Sequence, residues 1–397
     1  MRIPFYALLL QGIACGGPEP VGTDDTPALA DSAVGDTAPD DTAPDDTDPV
    51  DTDPVDTAPI DTDPIDTAET DTAPVDTAPV DTGEIPAVPP TPTECFGAQW
   101  GSAPLPVDYD QFEPVLGSHC QGTNYQDIAG VERVVFIGDS ITVGSPPTDA
   151  ADWYRNVLAD ELAIRFGLEA PDWGWENVNL VDGVVYTQLS GDFAACAKWG
   201  ARTDDLLDGP HYQLETCMPE EDRGLVTLVV MTIGGNDVYS LLEDVTAGND
   251  EATLRATFSA ATGLLRDAAE WVSDPENFPN GAYLVFANTY DFTDPDGAED
   301  MAACPGAELI GMDAPLASTT LQAVLAEAQE EYLSIAVDTR TDMVFLGEQF
   351  CGHGYNADPA GRCYRGDGEV WLDYTCMHPN DLGHGAIADM MLAVVDE

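Results

Sequence analysis

Residues 134–141 read VVFIGDSI, and the interpretation of the rest of the chain starts from them. Four apolar residues, three of them β-branched, come directly before a Gly-Asp-Ser tripeptide. A short apolar run that is bounded by glycine is typical of a strand buried on both faces. We therefore predict a strand over Val134–Ile137, with the hydroxyl of Ser140 close to its carboxyl end.

Strands and helices alternate along the sequence after this segment. The predicted strands are 225–233, 283–287 and 343–346, and the predicted helices are 151–166, 251–272, 316–335 and a last one from Asn380 to Val395. Helix 251–272 shows the pattern best, because its apolar residues recur at three- and four-residue intervals after a capping Asn249 or Asp250. The alternation predicts an α/β fold with helices on both faces of a parallel sheet. Active sites in such sheets lie outside the carboxyl ends of the strands.

Residues 16–90 have a different composition from the rest of the chain. They repeat Asp, Thr, Pro, Ala and Val, as in DTDPVDTAPI at 51–60, and contain no Lys, Arg or aromatic residue. Such a segment cannot bury enough apolar surface to offset the entropy of ordering it, so we predict a disordered acidic linker over residues 15–90. A calcium-binding repeat is the alternative, but it would need converging ligands and a glycine turn that this repeat lacks.

The chain has 397 residues and a formal net charge of −62, with 74 acidic residues against 12 basic ones. Lys198 is its only lysine. So strong a negative charge repels nucleic acid and anionic membrane surfaces, and we expect neither as a partner. Residues 91–397 contain every tryptophan and are long enough for one sizeable core, which we expect to act as a monomer.

The N-terminus looks like an export signal. The apolar run over residues 3–14 is too short to span a bilayer and is typical of a signal peptide that occupies residues 1–14. Residues 12–15, GIAC, resemble the cleavage site of a bacterial lipoprotein, which would attach lipid to Cys15. We expect a cell-surface lipoprotein of the outer membrane, with this lipid as its only contact with the membrane. Ordinary secretion with an incidental cysteine is the alternative.

Eight cysteines remain when Cys15 is set aside, an even number in a chain that we expect to be exported. Such a set indicates disulfides, and the lack of any Cys-x-x-Cys pair argues against zinc. Spacing alone does not fix the connectivity. Our expectation is pairing between sequence neighbours: Cys95 with Cys120, Cys196 with Cys217, Cys304 with Cys351, and Cys363 with Cys376.

Four short motifs fall where the predicted topology places an active site. They are GDSI at 138–141, WGARTDDLL at 199–207, GGND at 234–237 and HPNDLGH at 378–384. In this order they resemble the four sequence blocks of the SGNH (GDSL) hydrolase superfamily, and above all its secreted, disulfide-bonded bacterial esterases. The resemblance covers essentially all of residues 91–397 and implies a three-layer α/β/α, flavodoxin-like catalytic domain. The lack of Gly-x-Ser-x-Gly around Ser140 argues against the α/β-hydrolase type.

The resemblance implies a role for four residues. Ser140 would be the nucleophile and His378 its base, because a serine hydroxyl is a weak nucleophile until a base takes its proton. The oxyanion of the tetrahedral intermediate would be bound by the backbone N–H groups of Ser140 and Gly200 and by the side-chain amide of Asn236. This chemistry needs no metal and no organic cofactor.

The sequence departs from the family pattern at the third member of the triad. Thr375 stands three residues before His378, where the family usually has an aspartate. Something must still fix the orientation of the imidazole. We expect a backbone carbonyl near Thr375 to do so, held in place by a disulfide at Cys376, with Asp373 as the alternative.

Three polar residues within these motifs are expected to be structural. Asp139 and Asp237 would brace loops, and His384 would lie in the first turns of the last helix.

We expect the protein to hydrolyse carboxylic esters through an acyl-enzyme, acting on an extracellular lipid or a small acyl ester. Two alternatives remain: a deacetylase of extracellular polysaccharide, and a non-catalytic binding module on a surface stalk. The binding module is disfavoured because all four residues that the resemblance assigns to the site are present. An apolar groove would favour a lipase and a sugar platform would favour a deacetylase. Four tryptophans could form either one: Trp173, Trp175, Trp199 and Trp371.

Overall fold

The computed structural model describes residues 120–207, 211–290, 304–306, 319–355 and 368–397. The predicted signal peptide (1–14), the lipidation site Cys15 and the linker (15–90) lie outside these residues and stay predictions. Within the described ranges, no helix combines the length and the apolar character that crossing a membrane would require.

A six-stranded sheet forms the centre of the fold. Among the described residues the strands are β1 (Arg133–Gly138), β2 (Val178–Asn179), β3 (Val184–Val185), β4 (Leu189–Ser190), β5 (Phe193–Ala195), β6 (Thr227–Thr232), β7 (Ala282–Ala287) and β8 (Asp342–Val344). The central sheet has the order β4-β5-β1-β6-β7-β8, and β2 and β3 form a separate hairpin. Of the strands among the described residues, only β4 runs antiparallel to its neighbour in the central sheet. β1 and β6 are buried over their whole length, which explains their unbroken apolar runs.

Helices flank this sheet. Among the described residues the α-helices are α1 (Ser140–Val143), α2 (Tyr154–Phe166), α3 (Trp173–Glu176), α4 (Gln213–Cys217), α5 (Gly235–Ala247), α6 (Glu251–Ser273), α7 (Thr319–Thr339), α8 (Leu346–Phe350) and α9 (Asp381–Asp396). α2 packs against α9, and α6 packs against α7. The predicted α/β sandwich with a largely parallel sheet is confirmed.

The predicted elements agree with the observed ones apart from their ends. The helix predicted over 151–166 starts later, because a 3-10 turn comes first. Asp250 caps α6 by accepting a hydrogen bond from the Thr253 N–H at 2.9 Å, and Asn380 caps α9 in the same way. The strand predicted over 343–346 is shorter than expected because α8 begins almost at once.

One predicted disulfide is confirmed. Cys196, directly after β5, is bonded to Cys217 at the end of α4, so the segment that carries the second motif is closed into a loop. Cys120 and Cys351 are disulfide-bonded as well. The predicted partner of Cys120 is Cys95, which lies outside the described residues.

The other described disulfide contradicts the neighbour pairing. Cys304 is bonded to Cys376, so the predicted pairs Cys304–Cys351 and Cys363–Cys376 are both wrong. The two bonded cysteines are 72 positions apart in sequence, yet their Cα atoms are 5.9 Å apart. The chain that follows β7 returns beside the segment that precedes α9, and a rule based on sequence distance cannot anticipate this return.

Candidate active site

Ser140 is positioned by a sharp change of direction at the end of β1. Gly138 has a φ of 136°, and a Cβ there would collide with the carbonyl oxygen of Thr232 on β6, so the two strand ends meet only because this residue is glycine. Asp139 then caps α1, its carboxylate accepting a hydrogen bond from the Ile141 N–H at 3.0 Å. Ser140 is therefore the first residue of a helix, half-buried at the carboxyl edge of the sheet.

The imidazole of His378 lies directly opposite this serine. Its Nε2 is 2.9 Å from Ser140 Oγ, and the His378 side chain is buried. The segment before it is held at two points, because Tyr290 donates a hydrogen bond to the Met377 carbonyl at 2.5 Å and Cys376 is held by its disulfide. An imidazole at this distance can take the proton of a hydroxyl.

A hydroxyl and a carboxylate lie in series behind the imidazole. Thr375 Oγ1 is 3.5 Å from His378 Nδ1, at the long end of the hydrogen-bond range. The same hydroxyl donates to Asp373 Oδ1, which also accepts from the Thr375 N–H at 2.8 Å. Where the sequence predicts a backbone carbonyl near Thr375, the structure presents the Thr375 side chain to the ring and places Asp373 behind it.

Burial and charge have opposite effects on the pKa values of His378 and Asp373. Burial lowers the pKa of His378 below its usual value, and the nearby Asp373 raises it in part. Burial raises the pKa of Asp373, whereas His378 and the hydrogen bonds from Thr375 lower it. Because only a neutral imidazole accepts a proton, the lowered pKa keeps His378 available as a base at neutral pH.

Asn236 enters the site from the start of α5. Its side-chain amide donates one hydrogen bond to the Ala201 carbonyl at 2.8 Å, which leaves its second amide hydrogen for another acceptor. Asn236 lines the same pocket as Ser140 and His378. Gly200 is not among the described residues that line this pocket. It is exposed, with a φ of 77°, immediately before Ala201.

The sequence pattern of the GDSL-like Lipase/Acylhydrolase family matches residues 134–391, more than half of the chain. The match begins in β1, just before Ser140, and extends past His378 into α9. The chain belongs to this family.

Three solved structures are similar to parts of this hydrolase. A gut microbial diltiazem-metabolizing enzyme is 13% identical over 67% of this chain and 47% of its own, with a TM-score of 0.40. A two-domain esterase active on acetylated mannans is 13% identical over 68% of this chain and 51% of its own, with a TM-score of 0.36. A lipase from a goat rumen metagenome is 13% identical over 66% of this chain and 96% of its own, with a TM-score of 0.37. The chain spans about half the length of the first two, and no curated protein matches it.

Two aspartates, the buried Asp139 and the half-buried Asp237, hold the loops of the site together. Asp237 accepts hydrogen bonds from the Thr203 N–H at 3.2 Å and from the Thr203 hydroxyl at 3.0 Å, which ties the second motif to α5. Burial raises the pKa of Asp237 to about 6. Burial, together with the charge of Asp237, raises the pKa of Asp139 to about 7. These contacts agree with the bracing role that the sequence predicts for both residues.

His384 is a structural residue, as predicted. Its Nδ1 accepts a hydrogen bond from the Tyr154 N–H at 3.3 Å, and its ring stacks on the Tyr154 ring. Burial lowers the pKa of His384 to about 3, so the ring is neutral across the physiological range. The histidine thereby joins α9 to α2, and it does not line the pocket over Ser140.

The pocket that the described residues form over Ser140 has a volume of about 40 Å³. Leu346 and Met377 contribute to its apolar lining, and residues 288–290 line it directly after β7. No sequence motif includes these three residues. Their position directly after a predicted parallel strand could have identified them, because the residues that follow the carboxyl ends of such strands line the active site. In the described ranges, no three His, Cys, Asp or Glu side chains converge to hold a metal ion.

None of the four tryptophans named from the sequence lines the described part of this pocket. Trp175 is fully buried, and its ring packs against the Arg155 guanidinium at 4.2 Å. Trp199 and Trp371 are half-buried, and Trp173 is exposed. The tryptophans therefore do not form an acyl groove at Ser140.

We expect Asp139→Asn to remove part of the pH dependence of stability. Because the pKa of Asp139 is raised from 3.8 to about 7, the folded state retains a proton in this window that the unfolded state releases. The free energy of unfolding therefore falls as pH rises from about 4 to about 7 and levels off above that. Asparagine still offers an oxygen to the Ile141 N–H, so the cap survives in the variant.

The measurement is urea denaturation of the wild type and the variant across this pH range. Asp160→Asn, the same change at an exposed position on α2, is the control and should keep the wild-type slope. Equal slopes for Asp139→Asn and the wild type would show that Asp139 ionises normally in the folded protein.

Proposed function

We propose that this hydrolase cleaves carboxylic esters through an acyl-enzyme, with Ser140 as the nucleophile and His378 as the general base. The observation that carries the proposal is the 2.9 Å distance between Ser140 Oγ and His378 Nε2. At this distance the imidazole takes the hydroxyl proton as Oγ attacks the ester carbonyl, and then returns it to the leaving alcohol. A water molecule activated in the same way releases the acid.

The negative charge that develops on the carbonyl oxygen needs donors beside Ser140. Ser140 begins α1, where backbone N–H groups have no partner inside the helix. One amide hydrogen of Asn236 is used in the bond to the Ala201 carbonyl, and the other can be donated to the oxyanion. Gly200, the third proposed donor, directly precedes Ala201, so the loop that carries one donor also positions the other.

Asp373 stabilises the positive charge that His378 carries during proton transfer. Asp373 favours the protonated ring, but it reaches the ring only through the Thr375 hydroxyl. Neither residue touches the reacting atoms. We therefore assign Thr375 and Asp373 the role of orienting the imidazole and stabilising its charged form.

Ser140→Ala should reduce the hydrolysis of p-nitrophenyl acetate to background. Asn236→Ala should lower kcat by roughly 10²- to 10³-fold, because an oxyanion donor acts mainly in the transition state. Steady-state rates of the purified protein measure both effects. Ser259→Ala, the same change as at Ser140 but on the exposed face of α6, is the control and should keep full activity. Wild-type turnover in Ser140→Ala would remove the nucleophile assignment.

The size of the pocket supports a short acyl group. A volume of about 40 Å³ accommodates roughly three water-sized groups, and an acetyl group has three non-hydrogen atoms. Leu346 is buried at one wall, and Tyr290 is backed by Phe350, whose ring stacks on it at 4.7 Å. We therefore propose a short-acyl ester of a small alcohol or of a polysaccharide as the substrate, in preference to a long-chain lipid.

The acyl-length profile checks this preference. We expect kcat/KM for p-nitrophenyl esters to fall by about tenfold or more from acetate to octanoate, because the longer chains do not fit inside the pocket. Leu346→Ala should reduce the difference by enlarging the pocket, and Leu264→Ala, on α6, should not. A profile that rises toward octanoate would contradict the short-acyl preference and favour a lipase.

We also propose that the protein acts outside the cytoplasm. The signal-like residues 1–14 support this location, as do the disulfide bonds of the described cysteines, because such bonds persist mainly in oxidising compartments. Lipid at Cys15 would then hold the enzyme on the cell surface through the acidic linker.

A further inference from the structure

The backbone of Gly138, two residues before Ser140, is held by a side chain that belongs to none of the four motifs. Gln213 is the first residue of α4, and its side chain is fully buried. Its Oε1 accepts a hydrogen bond from the Gly138 N–H at 2.7 Å, and its Nε2 donates one to the Gly138 carbonyl at 2.9 Å. The amide of Gln213 therefore bonds to both polar groups of the Gly138 backbone.

These two hydrogen bonds extend the pairing of β1 beyond the end of β5. The register between the two strands ends at Phe136, after which the Cys196 N–H donates to the Phe136 carbonyl at 3.0 Å. Every second residue of a strand directs its N–H and C=O groups to the same neighbour, so Gly138 is the next residue of β1 to face this side. A side-chain amide carries both a donor and an acceptor, and Gln213 thus takes the place of a neighbouring strand at Gly138.

The helix that carries Gln213 is fixed to the same two strands. The last residue of α4, Cys217, is disulfide-bonded to Cys196, directly after β5. The Cys217 carbonyl also accepts a hydrogen bond from the guanidinium of Arg133, the first residue of β1, at 2.9 Å. A helix of five residues is not stable by itself, so these contacts set the position of α4 and with it the position of Gln213.

The Gly138 carbonyl also links the segments that carry two of the proposed oxyanion donors. Besides the amide of Gln213, it accepts a hydrogen bond from the Lys198 N–H at 3.1 Å. Lys198 comes two residues before Gly200, just as Gly138 comes two residues before Ser140. Gln213 therefore supports the point at which the serine segment and the glycine segment meet.

The conformation of Gly138 depends on such contacts to its backbone. Its φ is 136°, and it has no side chain that packing could hold in place. Gln213 is not among the described residues that line the pocket over Ser140, so its effect on the site is transmitted through the backbone. A displacement of a reacting group by about 1 Å can cost roughly 10²-fold in rate, so a small shift of this turn is sufficient to reduce activity.

A second glutamine makes the same pair of contacts in another part of the sheet. Gln126 accepts a hydrogen bond from the Leu284 N–H at 3.1 Å and donates one to the Leu284 carbonyl at 2.8 Å, in the amino-terminal half of β7. It also donates to Asp342 at 2.9 Å. None of these three residues lines the pocket over Ser140. Gln126 is therefore a matched control for the hydrogen bonds of Gln213.

We propose that Gln213 is a positioning residue for the hydrolysis, which holds Ser140 and the oxyanion donors at the distance that the reaction needs. This role rests on the proposed function, because it is defined by the nucleophile that Gln213 supports. Gln213 touches neither the substrate nor the reacting atoms. Its two hydrogen bonds fix Gly138, and Gly138 fixes both the turn that leads to Ser140 and the segment that leads to Gly200.

The test compares Gln213→Met with Gln126→Met in the full-length protein. Methionine keeps the approximate length of the side chain and removes its hydrogen bonds. We expect Gln213→Met to lower kcat for p-nitrophenyl acetate by about tenfold or more and to leave KM within about twofold, because the displaced groups act in the transition state. Gln126→Met should keep the wild-type kcat, although it loses at least as many hydrogen bonds. Thermal unfolding of both variants measures their losses of stability, with which the rates are compared.

Gln213→Glu keeps the shape of the side chain and covers the case in which Gln213→Met does not fold. A protonated carboxyl group can make both hydrogen bonds to Gly138, whereas an ionised one has no hydrogen to donate to the carbonyl. We therefore expect the kcat of this variant, divided by that of the wild type at the same pH, to fall severalfold from about pH 6 to about pH 9. The ratio removes the titration of His378 and Asp139, which both proteins share.

A wild-type kcat in Gln213→Met, a wild-type kcat of Gln213→Glu at every pH, or an equal loss of kcat in Gln126→Met would overturn the positioning role. Ser140→Ala distinguishes this failure from a failure of the proposed function. Turnover that survives in Ser140→Ala would refute both. An inactive Ser140→Ala beside a fully active Gln213→Met would refute the positioning role alone.

Discussion

The hydrogen bond between Ser140 and His378 is the constraint on which the rest of the site depends, because it brings residues 238 positions apart to within 2.9 Å. The serine end is rigid, since β1 is buried on both faces and Gly138 lets its last residue lie against β6. The histidine end lies on an irregular segment and needs separate supports. Tyr290 holds the carbonyl of Met377, the residue before the histidine, and the disulfide of Cys376 holds the residue before that. The sheet thus positions Ser140 directly, whereas His378 is positioned by separate contacts to its segment.

Sequence patterns locate both partners of this bond and offer Asp373 as an alternative behind the imidazole, but they do not predict the Thr375 hydroxyl that lies between the two. β1 can be recognised because its apolar run leads straight into Gly138, and α6 because its apolar residues recur at helical spacing. The contact behind His378 depends on a side-chain rotamer, since Thr375 turns its hydroxyl rather than its carbonyl toward the ring. The partner of Cys376 depends on the path of the chain after β7, which no spacing rule encodes.

The size of the pocket and the charge of the surface point to the same kind of substrate. In the proposed function, the volume of about 40 Å³ at Ser140 would favour a short acyl group, and the acidic chain would disfavour an alcohol part that carries negative charge. A large neutral molecule that carries small esters meets both conditions.

The central claim is that His378 activates Ser140, and the most direct measurement is the rate at which a fluorophosphonate ester labels the full-length protein. The account predicts one phosphonylated peptide by mass spectrometry, with the label on Ser140. It also predicts that His378→Ala slows labelling by roughly 10²- to 10⁴-fold, because the hydroxyl then has no base. Labelling of a different residue, or an unchanged rate in His378→Ala, would contradict the account.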